Sequence, residues 1–311
     1  DRFVMKILLY EVREDEKADI ARIAKELKVE VVETGEVPSL ENAGMAEGCD
    51  GVSILGQGTI DVPLLDVWKK LGVECLSTRT IGFNHIDVAY AKSIGIHVCN
   101  ASYEPDGVSD FTIMMMLMCL RNYKQALWRG QVNDFALKGL MGRELKHMTV
   151  GVIGTGKIGA AMARICHGFG MKVLGYDMYP NKDLDFVEYV DLDTLLSQSD
   201  LISLHCPLME ETHHMINIDT IQKMKDGVIL VNTSRGGLIK TDDLIQGIRE
   251  NKFFAVGLDV YEEEPHVPEA LIAMDNVVLL PHVASATHET RQRMSEVVFK
   301  NVDAFFNAMP L

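Results

Sequence analysis

The stretch VGVIGTGKIGAAMARICHGFGMKVLGYD, from Val150 to Asp177, decides the fold of this chain of 311 residues. It begins with a strand-like apolar run, passes through a turn that holds three glycines, and continues with the apolar spacing of a helix. A second strand-like run, KVLGY, ends immediately before Asp177. This order predicts a βαβ unit, which belongs to a parallel sheet covered by helices.

The glycines of the turn have the spacing G-x-G-x-x-G. The first permits the tight turn, the second lets the backbone approach a pyrophosphate, and the third allows close packing of helix on strand. The flanking strand and helix, with an acid about 20 residues further on, make the pattern specific for a dinucleotide. The residues predicted to line the pyrophosphate, mainly through backbone amides, are Gly154, Thr155, Gly156, Lys157, Ile158 and Gly159.

The acid at the end of the second strand is Asp177. A carboxylate at that position accepts hydrogen bonds from the ribose hydroxyls of NAD, whereas the 2′-phosphate of NADP would be repelled and would need an arginine. The nearest positive candidate, Lys182, lies several residues beyond. The sequence therefore predicts NAD as the cofactor.

The βα rhythm extends on both sides of this unit. From Thr149 to Val283 it provides about six strand-like runs, enough for a complete dinucleotide-binding sheet. From Met5 to about Val98 strands and helices also alternate, but the turn LGQGT (Leu55 to Thr59) lacks the third glycine. The segment DGVSDFTIMMMLMCLRNYKQALWRG predicts one long buried helix after residues 105–107, its methionines packing in the core or at a subunit interface. The last helix-like segment, residues 289–307, is expected to return to the first domain.

These patterns predict an α/β protein with two Rossmann-like domains. A discontinuous, flavodoxin-like substrate domain comprises residues 1–102 and 286–311. The NAD-binding Rossmann domain, residues 103–285, is inserted into it.

Composition excludes several classes of protein. A formal net charge of −15 argues against nucleic acid and anionic membranes as partners, and no apolar run is long enough to span a bilayer. The six cysteines are scattered singly, without the close pairing of a zinc site or redox dithiol. We therefore expect no metal and a reducing, cytoplasmic location.

Ionisable residues follow three successive strand-like runs in the cofactor domain. They are Arg235 in VNTSRGG, Asp259 and Glu264 in GLDVYEEEP, and His282 in LLPHVAS. The carboxyl ends of parallel strands share one edge of the sheet, where open α/β sheets bind ligands. Together these residues form a plausible acid–base and anion-binding set.

Six features follow one another along the chain in this order: GTGKIG, Asp177, HCPL, NTSRGGLI, GLDVYEEEP and PHVASATHETR. With these features the chain resembles the D-isomer-specific 2-hydroxyacid dehydrogenase family over essentially its whole length. The resemblance implies NAD dependence, a homodimer formed through the cofactor domains, and a 2-keto or 2-hydroxy acid as substrate. It assigns Arg235, Glu264 and His282 to the catalytic positions. His282 would protonate the keto oxygen, Glu264 would orient the imidazole, and Arg235 would grip the substrate carboxylate.

Other residues compete for these roles. Glu262 and Glu263 are alternatives to Glu264, but the family places the acid directly before a proline, here Pro265. His205 is an alternative proton donor, although the family places HCPL beside the adenine. His85 and His288 are secondary candidates.

The resemblance also assigns binding residues. In the substrate domain, Ile81 and Gly82 would hold the substrate carboxylate through backbone amides, with the Tyr103 hydroxyl contacting the same group, and the two domains would close around the substrate. Asp259 would face the nicotinamide carboxamide. The remaining residues expected to line the cofactor are His205, Cys206, Pro207, Thr233, Ser234, Arg235 and His282.

The substrate stays open among several 2-keto acids. The segments RTIGFNHID and NASYEPDGVSDFT resemble the D-lactate dehydrogenase branch, which we favour, whereas the region from Glu262 to Arg291 resembles glyoxylate and hydroxypyruvate reductases. Small residues at 284–286, where the lactate branch has aromatic residues, would admit branched or aromatic keto acids. A protein of a different functional class, an NAD(H)-sensing corepressor or scaffold on the same fold, remains an alternative.

Overall fold

The computed structural model describes residues 4–102, 104–294, 296 and 299. The chain forms two compact units. The first combines Asp1–Glu104 with Thr287–Leu311, and the second is Pro105–Ala286. The predicted boundaries, after residues 102 and 285, lie close to these.

The first unit contains a five-stranded parallel sheet in the order β2-β1-β3-β4-β5. Its strands are β1 (Lys6–Leu9), β2 (Glu30–Glu33), β3 (Gly51–Ile54), β4 (Cys75–Thr78) and β5 (His97–Asn100). The helices between them are α1 (Lys17–Leu27), α2 (Val62–Lys70) and α3 (Val88–Ser93). This strand order is that of flavodoxin, as predicted.

Apolar side chains cover both faces of the first sheet. Trp68 and Leu76 belong to the cluster on one face, and Ile7 and Leu9 to the cluster on the other. Phe299, from the end of the chain, is buried in the second cluster. The described residues between 288 and 299 are helical. The chain end therefore returns to the first unit, as expected, although most of the predicted helix after residue 294 lies outside the described residues.

The second unit contains a seven-stranded parallel sheet in the order β12-β11-β10-β9-β6-β7-β8. Its strands are β6 (Thr149–Ile153), β7 (Lys172–Tyr176), β8 (Val187–Tyr189), β9 (Leu201–Leu204), β10 (Val228–Asn232), β11 (Phe253–Leu258) and β12 (Val277–Leu279). The strand order reverses between β6 and β9, the place where doubly wound sheets open a crevice for ligands. The α/β class with two Rossmann-like sheets is confirmed.

The helices of the second unit correct one prediction. They are α4 (Asp106–Leu120), α5 (Tyr123–Gln131), α6 (Lys157–Gly168), α7 (Leu192–Gln198), α8 (Ile218–Lys223), α9 (Thr241–Arg249) and α10 (Glu269–Ile272). The single long helix predicted after residues 105–107 is wrong, because Asn122 adopts a left-handed conformation (φ 49°) that separates α4 from α5. α4 is buried over much of its length, whereas α5 has no buried residue.

Two edge strands, β5 and β8, were not predicted. Both are short, and exposed residues interrupt their burial patterns. Such strands carry little of the apolar signal on which strand prediction depends. Among the described helices, none combines the length and apolarity that a membrane span requires.

Candidate active site

The glycine turn between β6 and α6 has the geometry that its sequence predicts. Gly154 has a φ of 89°, and a Cβ added there would lie 2.6 Å from the carbonyl carbon of His205. A Cβ at Gly159 would lie 1.8 Å from the Gly154 oxygen, so α6 packs directly on the turn. A Cβ at Gly156 would meet no atom within 4 Å. The first and third glycines are therefore required by the protein itself, whereas the second faces open space at the start of a helix, where an anion binds favourably.

Asp177 is held against this turn. Its Oδ2 accepts hydrogen bonds from the Thr155 amide (2.6 Å) and the Thr155 hydroxyl (3.2 Å), and its Oδ1 accepts one from the Tyr179 amide (2.8 Å). The Tyr189 hydroxyl donates to Thr155 Oγ1 at 2.8 Å. The carboxylate thus has a fixed orientation beside the open side of the turn. These residues fit NAD, with the helix start toward a pyrophosphate and an acid toward a ribose.

His205 and Cys206 follow β9, on the other side of the switch point. The His205 ring lies 2.7 Å from the Ser203 hydroxyl, and desolvation lowers the pKa of His205 to about 4. Burial raises the pKa of the Cys206 thiol to about 11. His205 is therefore neutral near pH 7 and unsuited to donate a proton, and its place beside the cofactor stays a prediction.

Arg235 follows β10 in a turn that Asn232 shapes. Asn232 is buried, donates to the Arg235 carbonyl (2.9 Å) and accepts from the Ser234 amide (3.0 Å). The Ser234 hydroxyl donates to the Cys206 carbonyl at 2.8 Å, and the Thr233 hydroxyl lies 2.7 Å from that of Thr112 on α4. The Arg235 backbone is therefore fixed, while its guanidinium donates to the Ser234 carbonyl at 2.8 Å.

Glu264 and His282 form a pair. His282 Nδ1 lies 2.6 Å from Glu264 Oε2, and the second carboxylate oxygen of Glu264 accepts the Tyr261 amide at 3.1 Å. Their side chains are 34% and 48% exposed, so both groups reach solvent. The pair has the geometry of an imidazole oriented by a carboxylate.

Asp259 is buried behind this pair. Its two carboxylate oxygens accept the amides of Val283 (3.0 Å) and Ala284 (2.9 Å), the residues directly after His282. Burial raises the pKa of Asp259, and the amide hydrogen bonds oppose this shift. Whatever it offers a cofactor, Asp259 fixes the backbone that carries His282, a role that the sequence did not predict.

Strand order brings the predicted catalytic residues to one edge of the sheet. Arg235, Glu264 and His282 follow β10, β11 and β12, which are neighbours in the sheet. Asp177 follows β7, beyond β6. The arrangement provides an anion-binding guanidinium and an imidazole–carboxylate pair on one side of a dinucleotide turn.

Comparisons with known proteins agree with this geometry. Residues 113–284 match the family model described as D-isomer specific 2-hydroxyacid dehydrogenase, NAD binding domain. The chain is 39% identical to an aromatic 2-oxoacid reductase of Clostridium sporogenes, over 97% of this chain and 96% of that protein. The chain belongs to the D-isomer specific 2-hydroxyacid dehydrogenase family.

Solved structures of relatives match nearly the whole chain and support the same family assignment. The apo-structure of D-lactate dehydrogenase from Escherichia coli matches with a TM-score of 0.89 at 37% identity, covering 98% of each chain. A D-2-hydroxyisocaproate dehydrogenase matches with a TM-score of 0.90 at 32% identity, again over 98% of each chain. The protein is an NAD-dependent D-2-hydroxyacid dehydrogenase, and the predicted family, reaction class and cofactor are confirmed.

The predicted substrate loop of the dehydrogenase lies in the first unit, where it follows β4. The Asn100 side chain donates to the Ile81 carbonyl (2.8 Å), and the Thr80 hydroxyl donates to the Gly82 carbonyl (2.6 Å). Arg79, at the start of this loop, is buried against Glu16. Tyr103 lies outside the described residues, so its predicted contact with substrate stays a prediction.

Glu262, an alternative to Glu264 for the catalytic carboxylate in the sequence analysis, has other hydrogen-bond partners. Its carboxylate accepts the Thr241 amide at the start of α9 (2.8 Å) and contacts His214 Nε2. Although desolvation acts in the opposite direction, these hydrogen bonds lower the pKa of Glu262. This engagement favours Glu264 as the partner of His282.

The same region holds the one group of potential metal ligands found in the described chain. Donor atoms of His213, His214 and Glu262 lie within 4.8 Å of one another. The two imidazole rings stack, with centroids 3.7 Å apart and planes inclined by 25°. A metal ion lies in the plane of each ligating imidazole, about 2 Å from the nitrogen. Stacked rings cannot both satisfy this condition unless one rotates, so the cluster is not a preformed metal site.

Proposed function

We propose that this dehydrogenase reduces a 2-keto acid to the D-2-hydroxy acid with Arg235, Glu264 and His282 as its catalytic residues. The observation that carries the proposal is the 2.6 Å contact between His282 Nδ1 and Glu264 Oε2, beside the strand that precedes Arg235. The glycine turn would hold NADH, which would supply the hydride when bound.

His282 acts as the general acid. Because Glu264 occupies Nδ1, the ring presents Nε2 to the substrate and donates its proton to the keto oxygen. Glu264, in contact with Nδ1 of the ring at 2.6 Å, holds the plane of the imidazole. In the oxidative direction, the neutral ring removes the proton from the substrate hydroxyl.

Arg235 binds the substrate carboxylate. Its planar guanidinium can form two parallel hydrogen bonds with a carboxylate, and this geometry orients the neighbouring keto group. The Asn232 side chain fixes the Arg235 backbone, so little conformational freedom is lost when the clamp forms.

Ile81 and Gly82 provide the second carboxylate-binding surface through their amides, with Tyr103 as an additional contact. The support is the hydrogen bonding of their carbonyls to Asn100 and Thr80, which holds the loop in shape. The first unit is then the substrate domain and the second unit the cofactor domain.

The substrate is pyruvate or a related keto acid, with D-lactate as the leading product. The similarity to Escherichia coli D-lactate dehydrogenase supports this choice. A second candidate, reduction of aromatic or branched keto acids, is favoured by the small residues Ala284, Ser285 and Ala286 after His282 and by the similarity to an aromatic 2-oxoacid reductase.

A homodimer through the second unit, in the cytoplasm, completes the proposal. Apolar side chains are exposed on α4, on α5 and in the segment that follows, which is unusual for the surface of a monomer. They include Met114, Leu117, Leu127, Trp128, Phe135, Leu137 and Met141. All six cysteines are free and buried, as suits a reducing compartment.

The test measures the oxidation of NADH, through its absorbance, with each member of a panel of keto acids. Pyruvate, phenylpyruvate, 2-ketoisocaproate, hydroxypyruvate and glyoxylate are compared by kcat/KM, with His282→Ala as the control. We expect turnover of at least one keto acid and its loss in the variant, with NADH binding retained. No turnover of any of them would favour the corepressor or scaffold, and undiminished turnover in His282→Ala would reject the assigned acid.

A further inference from the structure

Tyr261 contacts the segments that carry both members of the Glu264–His282 pair. Its amide donates to Glu264 Oε1 at 3.1 Å. Its hydroxyl donates to the Leu280 carbonyl at 2.8 Å and lies 3.2 Å from the Leu258 carbonyl. One residue therefore holds the carboxylate directly and reaches the chain just before His282.

The hydroxyl lies across the ends of two strands. Leu258 is the last residue of β11, and Leu280 follows the last residue of β12. The Leu280 amide also donates to the Leu258 carbonyl at 2.9 Å. Because burial raises the pKa of Tyr261 to about 12, the hydroxyl remains a donor throughout the pH range in which dehydrogenases are assayed.

The backbone of Tyr261 is equally constrained. A Cβ added to Gly236 would lie 2.0 Å from the Tyr261 carbonyl carbon, so the residue after Arg235 packs directly on this backbone. Tyr261 therefore meets the segments that carry Arg235, Glu264 and His282.

We propose that Tyr261 is a positioning residue that sets the relative placement of Glu264 and His282 from behind the active site. The inference rests on the catalytic roles proposed above. A hydrogen-bonded pair that reaches solvent gains little energy from its own contact, so its geometry must be imposed by surrounding structure. The Tyr261 amide engages one carboxylate oxygen and leaves the other for His282, while the hydroxyl fixes the distance between the two loops.

The test is Tyr261→Phe, which removes the hydroxyl and keeps the ring. We expect kcat to fall about 2- to 12-fold, a loss of the size that one neutral hydrogen bond can account for. NADH affinity and the KM for the keto acid should change little.

Tyr10→Phe is the matched control. Tyr10 is a buried tyrosine of the first unit whose hydroxyl also donates to a backbone carbonyl, that of Asn42 at 3.0 Å. Tyr10→Phe should leave kcat and the KM for the keto acid unchanged. The inference is overturned if Tyr261→Phe keeps the parental kcat, if Tyr10→Phe lowers kcat equally, or if the loss appears wholly as weaker NADH binding. Failure of the catalytic assignment itself would appear separately, as undiminished turnover in His282→Ala.

Discussion

His282 Nδ1 lies 2.6 Å from Glu264 Oε2 although 18 positions separate them along the chain. The two residues follow β11 and β12, which pair in parallel, so their loops start from the same edge of the sheet. Both side chains are partly exposed. Exposed pairs contribute little to folding stability, so the contact is better explained by chemistry than by the stability of the fold.

Glu264→Gln tests the charge of this carboxylate. The amide keeps the volume but lacks the negative charge of the carboxylate beside the proton-donating ring, so we expect lower kcat. Thermal unfolding should change little. Glu263→Gln, on the neighbouring exposed residue, serves as the control. The parental kcat in Glu264→Gln would remove Glu264 from the mechanism.

Arg235→Lys tests the carboxylate clamp. Lysine keeps the charge but loses the planar fork, so the KM for the keto acid should rise about 10- to 100-fold, as expected when a hydrogen bond to a charged group is lost. NADH affinity should persist. Arg143→Lys is a control in the same unit, where the guanidinium donates to the Gly227 carbonyl at 3.0 Å. An unaltered KM in Arg235→Lys would show that another group binds the carboxylate.

Asp177→Ala tests the choice of cofactor. Removing the carboxylate removes the repulsion of a 2′-phosphate and the acceptor for the ribose, so the ratio of kcat/KM for NADH to that for NADPH should fall. The Thr155 and Tyr179 amides also lose their acceptor, so some loss with NADH is expected as well. Asp183→Ala, an exposed neighbour, should keep the parental ratio. If Asp177→Ala also keeps the parental ratio, a different residue recognises the ribose and sets the preference for NADH over NADPH.

His205 makes stability depend on pH. Its pKa is lowered from 6.5 to about 4 in the folded protein, so on acidification the unfolded chain binds a proton that the folded chain does not. Between about pH 7 and pH 5 this should reduce the free energy of unfolding by about 2 kcal/mol. His205→Gln should lose that part of the dependence. Urea unfolding of both proteins at the two pH values measures it, and parallel losses would contradict the assignment.

Arg79 anchors the loop that carries Ile81 and Gly82. Its guanidinium is buried, lies 3.3 Å from Glu16 Oε1 and donates to the Tyr10 carbonyl at 2.8 Å. Arg79→Leu leaves the Glu16 carboxylate buried without its partner, which costs about 3 to 5 kcal/mol. Lys172→Ala breaks an exposed pair with Glu188 and should have little effect. Urea unfolding compares them, and equal stabilities would show that the buried pair contributes nothing.

Much of the fold could be predicted from the sequence because the patterns involved lie within short segments of the chain. The spacing of Gly154, Gly156 and Gly159, with Asp177 after the next strand, specifies a turn whose steric demands depend only on nearby backbone. Apolar runs identified most strands of both sheets, and placed Arg235, Glu264 and His282 directly after three of them.

The tertiary structure decided which of these local elements meet. Only the strand order makes β10, β11 and β12 neighbours, and only the folded chain engages Glu262 with His214 while leaving Glu264 for His282. The sequence likewise did not predict the separation of α4 from α5 or the edge strands β5 and β8. Periodicity reports how each segment is buried, whereas strand pairing and hydrogen bonds between distant residues depend on how the segments pack together.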